Sequence, residues 1–331
     1  MTAATYLVDS VDVRLPPAGE PTMYFIGVTT GSSSIRAIFP RWARALGLEA
    51  QLVGIDLPIH APPQLYRKVV EFIGNDPWSL GALVTTHKMD LYAACADMFD
   101  EIDVHARAMG EISSLSKSAG RLICHAKDPI SSGLALEAFV PVDHWQRTSA
   151  EVLCLGAGGS AIALTWYLTQ SSRGANRPSR VVVSNRSQPR LEHIEQVHAT
   201  LGVQVPTRYV LAPRISDNDR LLAAAPPGSL VVNATGLGKD APGSPLSPDA
   251  LYPVGGLVWE LNYRGDLLFL ERARKQQPDR NLLVEDGWTY FLHGWTQVIA
   301  EVFHIDIPSD GGGFDELSRL AGGAPRRDGT R

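Results

Sequence analysis

Residues 152–168 read VLCLGAGGSAIALTWYL: four apolar residues, the turn G-A-G-G-S-A, then an unbroken apolar run. That order is a buried strand, a glycine turn and a helix. Gly156 permits the tight turn, and Gly158 leaves no side chain between the backbone and a diphosphate. Ala161 lets the helix pack closely on the strand. The backbone N–H groups of Ala157, Gly159 and Ser160 open the helix and, with its dipole, form a cradle for an anion. A purely structural glycine turn is the competing reading. The strand before it and the helix after it favour a dinucleotide site. The run is also short for a membrane span, and Gly156, Gly158 and Gly159 within it are better explained by the turn.

The following strand, residues 180–184, decides which dinucleotide. A site for NAD normally ends this strand in an acid that accepts hydrogen bonds from the ribose hydroxyls. Here it ends in Asn185-Arg186-Ser187, with Arg190 close behind. No carboxylate repels a 2′-phosphate, and two guanidinium groups can grip one bidentately, so NADP is expected over NAD. The alternative is that both arginines are simply solvated. The separation from the glycines exceeds the usual ~20 residues, which the loop SSRGANRPS (171–179) accounts for.

Outward from this unit, strand-like and helix-like segments alternate, the pattern of α/β architecture. Upstream, residues 23–29 (MYFIGVT), 51–57 and 81–86 read as strands. The polar turn Gly31-Ser32-Ser33-Ser34 leads into a helix with Phe39, Trp42, Ala43 and Leu46 at three- and four-residue spacing. Pro40 falls in its first turn, and Gly47 is placed to end it. Residues 65–73 and 89–109 read as helical, the latter in one or two pieces, and SSLSKSAGRLICHA (113–126) reads as a hairpin. Downstream, residues 191–201 read as a helix and 205–211, 229–233 and 256–261 as strands. An apolar helix over 289–303 closes the pattern.

The chain has 331 residues, 44% hydrophobic and 20% charged, enough for a large core and about two domains. Thirty Lys and Arg against 35 Asp and Glu leave a formal net charge of −5. A mildly acidic chain without a long basic run is a poor partner for nucleic acid or an anionic membrane. Cys95, Cys124 and Cys154 are few, odd in number and far apart, so neither a disulfide scaffold nor a zinc ribbon is expected. No metal site is expected, and a reducing, cytoplasmic compartment fits best. The first residues, MTAATYLVDSVDVRLPP, lack the basic start and apolar run of a signal peptide.

The order of motifs resembles the shikimate dehydrogenase family over about residues 23–308. The family's glycine motif resembles GAGGSA (156–161), and its NADP-binding Asn-Arg-Thr resembles Asn185-Arg186-Ser187. Its Asn-Ala-Thr loop beside the nicotinamide resembles Asn233-Ala234-Thr235, and its late Tyr matches Tyr263 in ELNYRG. Its Val-Thr-x-x-Lys resembles Val84-Thr85-Thr86-His87-Lys88, and its Asn-Thr-Asp resembles Ala126-Lys127-Asp128. No single motif is specific, but their shared order makes chance a poor account.

The resemblance implies that Lys88 and Asp128 are catalytic, meeting across a cleft at the reactive end of NADP. An ammonium beside a carbonyl stabilises negative charge growing on the oxygen and donates the proton, and in reverse the neutral amine accepts it. Because a free lysine titrates near ~10.4, burial or neighbours must lower its pKa. Asp128 would hydrogen-bond the substrate hydroxyl. Read alone, the pair would be a surface lysine and a turn aspartate.

The departures from the family fall at the substrate. Its Ser-x-Ser falls on Ser33 and Ile35 without a gap, or on Ser32 and Ser34 with a one-residue shift. Leu83 and Ser113 replace two asparagines, Lys127 replaces a threonine, and the substrate-binding Gln falls near Gly294, with His293 and Trp295 adjacent. Ser32, Ser33, Ser34, Thr85, Ser113, Lys127, Tyr263 and His293 are the expected substrate contacts. Lys127 and Arg36 offer cations to an anion placed differently. Trp288 and Trp295 either line an apolar pocket or belong to the core, and His87 either tunes Lys88 or faces solvent.

The expected fold is α/β in two domains. A substrate-binding domain spans 22–148 with 286–308, and an NADP-binding Rossmann domain spans 149–285. They are flanked by an N-terminal extension (1–21) and a flexible tail (309–331). The implied activity is reversible hydride transfer between NADP(H) and a cyclic ketone or alcohol related to 3-dehydroshikimate and shikimate, with altered specificity. A genuine shikimate or quinate dehydrogenase and a catalytically silent binding module remain the alternatives. A small-molecule substrate and a monomer or homodimer are expected.

Overall fold

The computed structural model describes residues 4–239 and 241–322. They fall into two compact units. One runs up to Lys127 and resumes at Gly294, and the other is Asp128–His293.

The first unit contains, in chain order, β1 (Thr5–Leu7), β2 (Thr22–Gly27), α1 (Ile35–Ala45), β3 (Gln51–Asp56), α2 (Pro63–Asn75), β4 (Ser79–Val84) and α3 (Lys88–Cys95). After these come β5 (Glu101–Ile102), α4 (Val104–Met109), β6 (Ser114–Ser118) and β7 (Arg121–His125). Their seven strands form one sheet in the order β1-β3-β2-β4-β6-β7-β5. It is parallel from β1 to β4, while β6 and β7 form the expected antiparallel hairpin. Strands β2 to β4 are continuous apolar runs because both faces are covered. Tyr24, Ile26, Val53 and Ile55 pack with Val69, Val70 and Ile73 of α2.

The second unit contains α5 (Asp128–Glu137), α6 (His144–Thr148), β8 (Val152–Leu155), α7 (Gly159–Thr169), β9 (Val181–Asn185), α8 (Gln188–Thr200) and β10 (Thr207–Leu211). It continues with α9 (Ile215–Ala223), β11 (Leu230–Asn233), β12 (Leu257–Glu260), α10 (Leu268–Arg280) and β13 (Leu283–Glu285). The sheet is β10-β9-β8-β11-β12-β13, parallel throughout. Numbered within the unit this is 3-2-1-4-5-6, the Rossmann order, whose strand direction of progress reverses between β8 and β11. Helix α11 (Trp288–Phe303) starts in the second unit and ends in the first, to which α12 (Gly311–Gly322) also belongs.

The expected boundaries need four corrections. The N-terminal extension is not outside the fold, because Thr5–Leu7 pairs with β3 at the sheet edge and Val8 is fully buried. The expected flexible tail is a helix over 311–322. Trp42 Nε1 donates to Leu317 O at 2.8 Å and Arg41 Nη1 to Leu320 O at 3.1 Å, so α12 is held against α1. Residues 323–331 of that tail lie outside the described residues. The units divide after Lys127 rather than near 148, because α5 packs on α7. A Cβ at Gly133 would stand 2.3 Å from the Tyr167 ring, and Tyr167 OH donates to Glu137 Oε1 at 3.2 Å. Pro40 sits inside α1 rather than in its first turn. Among the described residues no helix is long and apolar enough to cross a membrane. Nor does any group of three or more His, Cys, Asp and Glu stand ready to hold a metal ion.

Candidate functional site

In the second unit, the C-terminal edges of β8, β9 and β11 bring three predicted segments together. Gly156 leaves β8 at φ +116, a conformation that L side chains rarely adopt, and its N–H donates to Ser184 O at 2.8 Å. A Cβ there would stand 2.4 Å from Ala234 O. Only glycine fits, so the glycine turn lies directly against the Asn233-Ala234-Thr235 loop. Ala157 is buried, and Gly158 follows as the N-cap of α7 at φ −94. No heavy atom lies within 4 Å of the Cβ that Gly158 lacks. That space is open, and the first N–H groups of α7, from Gly159, Ser160 and Ala161, find no acceptor within the helix. Together they form the cradle that a diphosphate requires.

At the end of β9 the Asn185 side chain accepts the Arg186 N–H at 2.8 Å, and Ser187 is the N-cap of α8. Arg186 and Arg190 are exposed. No carboxylate occupies this strand end, so its residues fit a 2′-phosphate.

Beyond β11 a polar relay shapes the third segment. Asn233 Oδ1 accepts the Thr235 N–H at 3.1 Å and the Thr235 hydroxyl at 2.6 Å, and Thr235 Oγ1 accepts the Leu237 N–H at 3.1 Å. Asn233 Nδ2 donates to Glu260 Oε2 at 2.6 Å. Glu260, at the end of β12, is fully buried, and its Oε1 accepts from Asn262 N at 2.9 Å and Asn262 Nδ2 at 2.7 Å. Burial pushes the carboxyl up to about 7, against the pull of the three N–H donors, and nearby Asp286 adds to the rise. The sequence reading missed Glu260, although a carboxylate ending the buried run Leu257-Val258-Trp259 was itself a signal.

Asp128 is the first residue of α5 and is buried. Tyr290 OH lies 3.4 Å from Asp128 Oδ2 and 3.5 Å from Ser160 Oγ, so one phenol reaches both the expected catalytic aspartate and the glycine turn. Tyr263 packs at 4.5 Å from Phe291 and 5.4 Å from Trp288, ring centre to ring centre. His293 is buried, and burial lowers it to about 4.

In the first unit Lys88 opens α3 and is half-buried. Two residues earlier Thr86 sits at φ +64, where a β-branched residue costs about 1–3 kcal/mol. The Thr85 N–H donates to Ile26 O at 3.0 Å, and the Ile112 N–H to Lys88 O at 3.1 Å. His87 does not face solvent. It is buried, 3.1 Å from Tyr66 OH through Nδ1, and burial lowers its pKa.

Several expected substrate contacts already have partners. The Ser113 hydroxyl accepts the Lys127 N–H at 2.6 Å and lies 3.4 Å from His125 O. The Lys127 ammonium pairs with Glu301, which also meets His125 Nε2 at 3.2 Å. Arg36 ties β1 to the sheet through Ala4 O at 3.0 Å, Thr5 Oγ1 at 3.3 Å and Leu52 O at 3.1 Å. Ile35 is a core residue, so a hydroxyl pair in the first turn comes from Ser32, Ser33 and Ser34, of which Ser34 is buried. Trp295 is core, 4.9 Å from Phe25, whereas Trp288 is half-buried. Lys88 and Asp128 belong to different units.

A scan against protein-family models finds no match. The chain is 27% identical over 288 residues to the shikimate dehydrogenase (NADP(+)) of Methylocella silvestris, 86% of this chain and 91% of that one. The shikimate dehydrogenase of Aquifex aeolicus shares the fold at a TM-score of 0.69, with 17% identity over 93% of this chain and all of that one (100%). The quinate dehydrogenase of Corynebacterium glutamicum, solved with NAD, gives a TM-score of 0.68 with 18% identity, covering 91% and 98%. Along most of its length the chain is thus similar in sequence to a shikimate dehydrogenase, and it shares the two-domain α/β fold of both solved enzymes.

Proposed function

We propose that the protein is an NADP-dependent oxidoreductase that interconverts a cyclic ketone and its alcohol, related to but distinct from 3-dehydroshikimate and shikimate. The observation that carries this reading is the parallel edge of the second unit. There an open glycine turn, an arginine-bearing strand end without a carboxylate and the Asn233 loop stand side by side. When bound, NADP(H) supplies or takes up the hydride. The α7 N-terminus and Gly158 hold the diphosphate, Arg186 and Arg190 the 2′-phosphate, and the Asn233 loop borders the nicotinamide.

Lys88 is assigned the proton. Its ammonium donates to the carbonyl oxygen as charge develops there, and the neutral amine takes the proton back in oxidation. Asp128 accepts a hydrogen bond from the substrate hydroxyl, with Tyr290 beside it.

Altered specificity is supported by side chains already committed elsewhere. Ser113 is bonded to backbone, Lys127 to Glu301, and a buried Leu83 replaces an amide. Each hydrogen bond missing from a polyol costs about 1–3 kcal/mol. The second reading, a genuine shikimate or quinate dehydrogenase, is favoured by the names of the relatives.

Steady-state assay with NADP(H) and shikimate, quinate and related cyclic ketones separates them. A kcat/KM for shikimate above ~10⁴ M⁻¹s⁻¹ establishes the second reading, and NADPH binding without turnover of any ketone leaves only a silent module. Lys88→Ala is expected to abolish turnover while NADPH affinity stays within about twofold of wild type, under 0.5 kcal/mol. A fully active variant ends the proton assignment. Arg186→Ala is expected to weaken NADP far more than NAD, and equal losses remove the 2′-phosphate argument.

A further inference from the structure

We propose that Glu260 is a positioning residue for the nicotinamide end of the cofactor: its carboxylate dictates which way the Asn233 amide points, and that amide dictates the shape of the loop through Leu237. The inference rests on the cofactor site proposed above.

The argument is one of donors and acceptors. All the groups bonded to the Glu260 carboxyl are N–H donors, the arrangement that suits its ionised form. Ionised, it offers only acceptors, so the group facing Oε2 is the Asn233 NH₂, found at 2.6 Å. With NH₂ committed there, Asn233 Oδ1 is turned toward Thr235, where it accepts both the backbone N–H and the hydroxyl. The Thr235 hydroxyl then serves as acceptor for the Leu237 N–H. Leu237 O receives Asn233 Nδ2 and Asn262 Nδ2, both at 3.3 Å. The Asn262 amide is itself pinned to Glu260 Oε1. One buried carboxylate thus sets two amides, and these close the loop from both sides. The loop in turn abuts the glycine turn through Ala234, whose N–H donates to Leu155 O at 2.7 Å and whose carbonyl crowds Gly156.

Glu260→Gln tests the idea because it keeps size and shape and changes only hydrogen-bonding character. The introduced amide needs its oxygen facing the two Asn262 donors, which leaves its NH₂ against the Asn233 NH₂. If Asn233 flips to relieve that conflict, its NH₂ meets the Thr235 N–H, which cannot reverse. Either way one buried donor faces another.

The experiment titrates wild type and variant with NADPH and with adenosine 2′,5′-bisphosphate, which lacks the nicotinamide half. NADPH affinity is expected to fall on the order of tenfold, with the bisphosphate held within about twofold of wild type. Adding Asn233→Asp to Glu260→Gln restores an acceptor to both the introduced amide and Thr235 and is expected to recover part of the loss. Unchanged NADPH binding, equal loss of both ligands, or no recovery in the double variant overturns the proposal. If Glu260→Gln does not fold, Thr235→Ala at the exposed end of the relay is expected to show the same selective loss, and wild-type NADPH affinity there overturns it. A wild type that binds neither ligand overturns the cofactor reading itself.

Discussion

Gly158→Ala and Gly156→Ala form a matched pair in which space and backbone angle predict opposite outcomes. At Gly156 an added Cβ meets Ala234 O at 2.4 Å, Ala234 C at 2.6 Å and Thr235 N at 3.0 Å, on a backbone at φ +116. Backbone strain of about 1–3 kcal/mol and overpacking of similar size, about 1–3 kcal/mol, give a loss of roughly 2–6 kcal/mol. At Gly158 the backbone lies at φ −94 and the Cβ meets nothing within 4 Å. Alanine is the poorer N-cap, by about 0.5–1 kcal/mol, but it restricts the unfolded chain by a comparable ~0.4–1 kcal/mol. Stability of Gly158→Ala is therefore expected to stay within about 1 kcal/mol of wild type. The new methyl group instead occupies the space assigned to the diphosphate, and NADPH affinity is expected to fall ten- to a hundredfold, about 1.4–2.7 kcal/mol. Urea unfolding reads the first quantity and NADPH fluorescence titration the second. Wild-type NADPH affinity in Gly158→Ala would refute the placement of the diphosphate. A Gly158→Ala as unstable as Gly156→Ala would refute the open space.

Two further expectations concern stability. Burial holds His198, packed between Thr165 Oγ1 and Tyr209 OH at 2.8 Å each, down to about 4. In the unfolded chain it titrates near ~6.5, so its effect on stability is absent above that pH and grows as pH falls toward 4. At pH 5 this costs about 2 kcal/mol, and His198→Gln is expected to reduce the difference in unfolding free energy between pH 7 and pH 5 by that amount. An identical pH dependence in the variant would show that the site is not buried neutral. Leu317→Ala is expected to destabilise the first unit by about 2–3 kcal/mol in the same assay, whereas a neutral result would mean that α12 does not dock on α1.

The parts of the fold legible in the sequence are those where local pattern and tertiary role agree. Residues 152–168 form strand, turn and helix because apolar continuity and glycine placement both demand it. Helix α5 escaped notice because Pro129, Ser131, Ser132 and Gly133 are poor helix formers. It is helical because Gly133 lets it lie against Tyr167, a partner that no local window contains. Helix α12 hid in the same way behind three glycines, and it is held by Trp42 and Arg41 of α1. At the site, the glycine turn, the arginines and the Asn233 loop were legible as motifs. Glu260 and Tyr290 were not, since their importance lies in what they touch. The cations of Lys127 and Arg36 were visible in the sequence, but the groups that occupy them, Glu301 and the carbonyls of Ala4 and Leu52, were not.

The first unit is discontinuous in sequence, and the indole of Trp42 waits for a carbonyl 275 residues further along the chain. During vectorial synthesis the strands β1 to β7 emerge early but lack the segments from Gly294 onward until the whole Asp128–His293 unit has left the ribosome. The continuous unit is free to fold first, and the N-terminal sheet must spend that interval with the α12-binding side of α1 uncovered. Maturation of this unit should accordingly wait for α12, and chaperone occupancy should concentrate on this early-made, late-finished half.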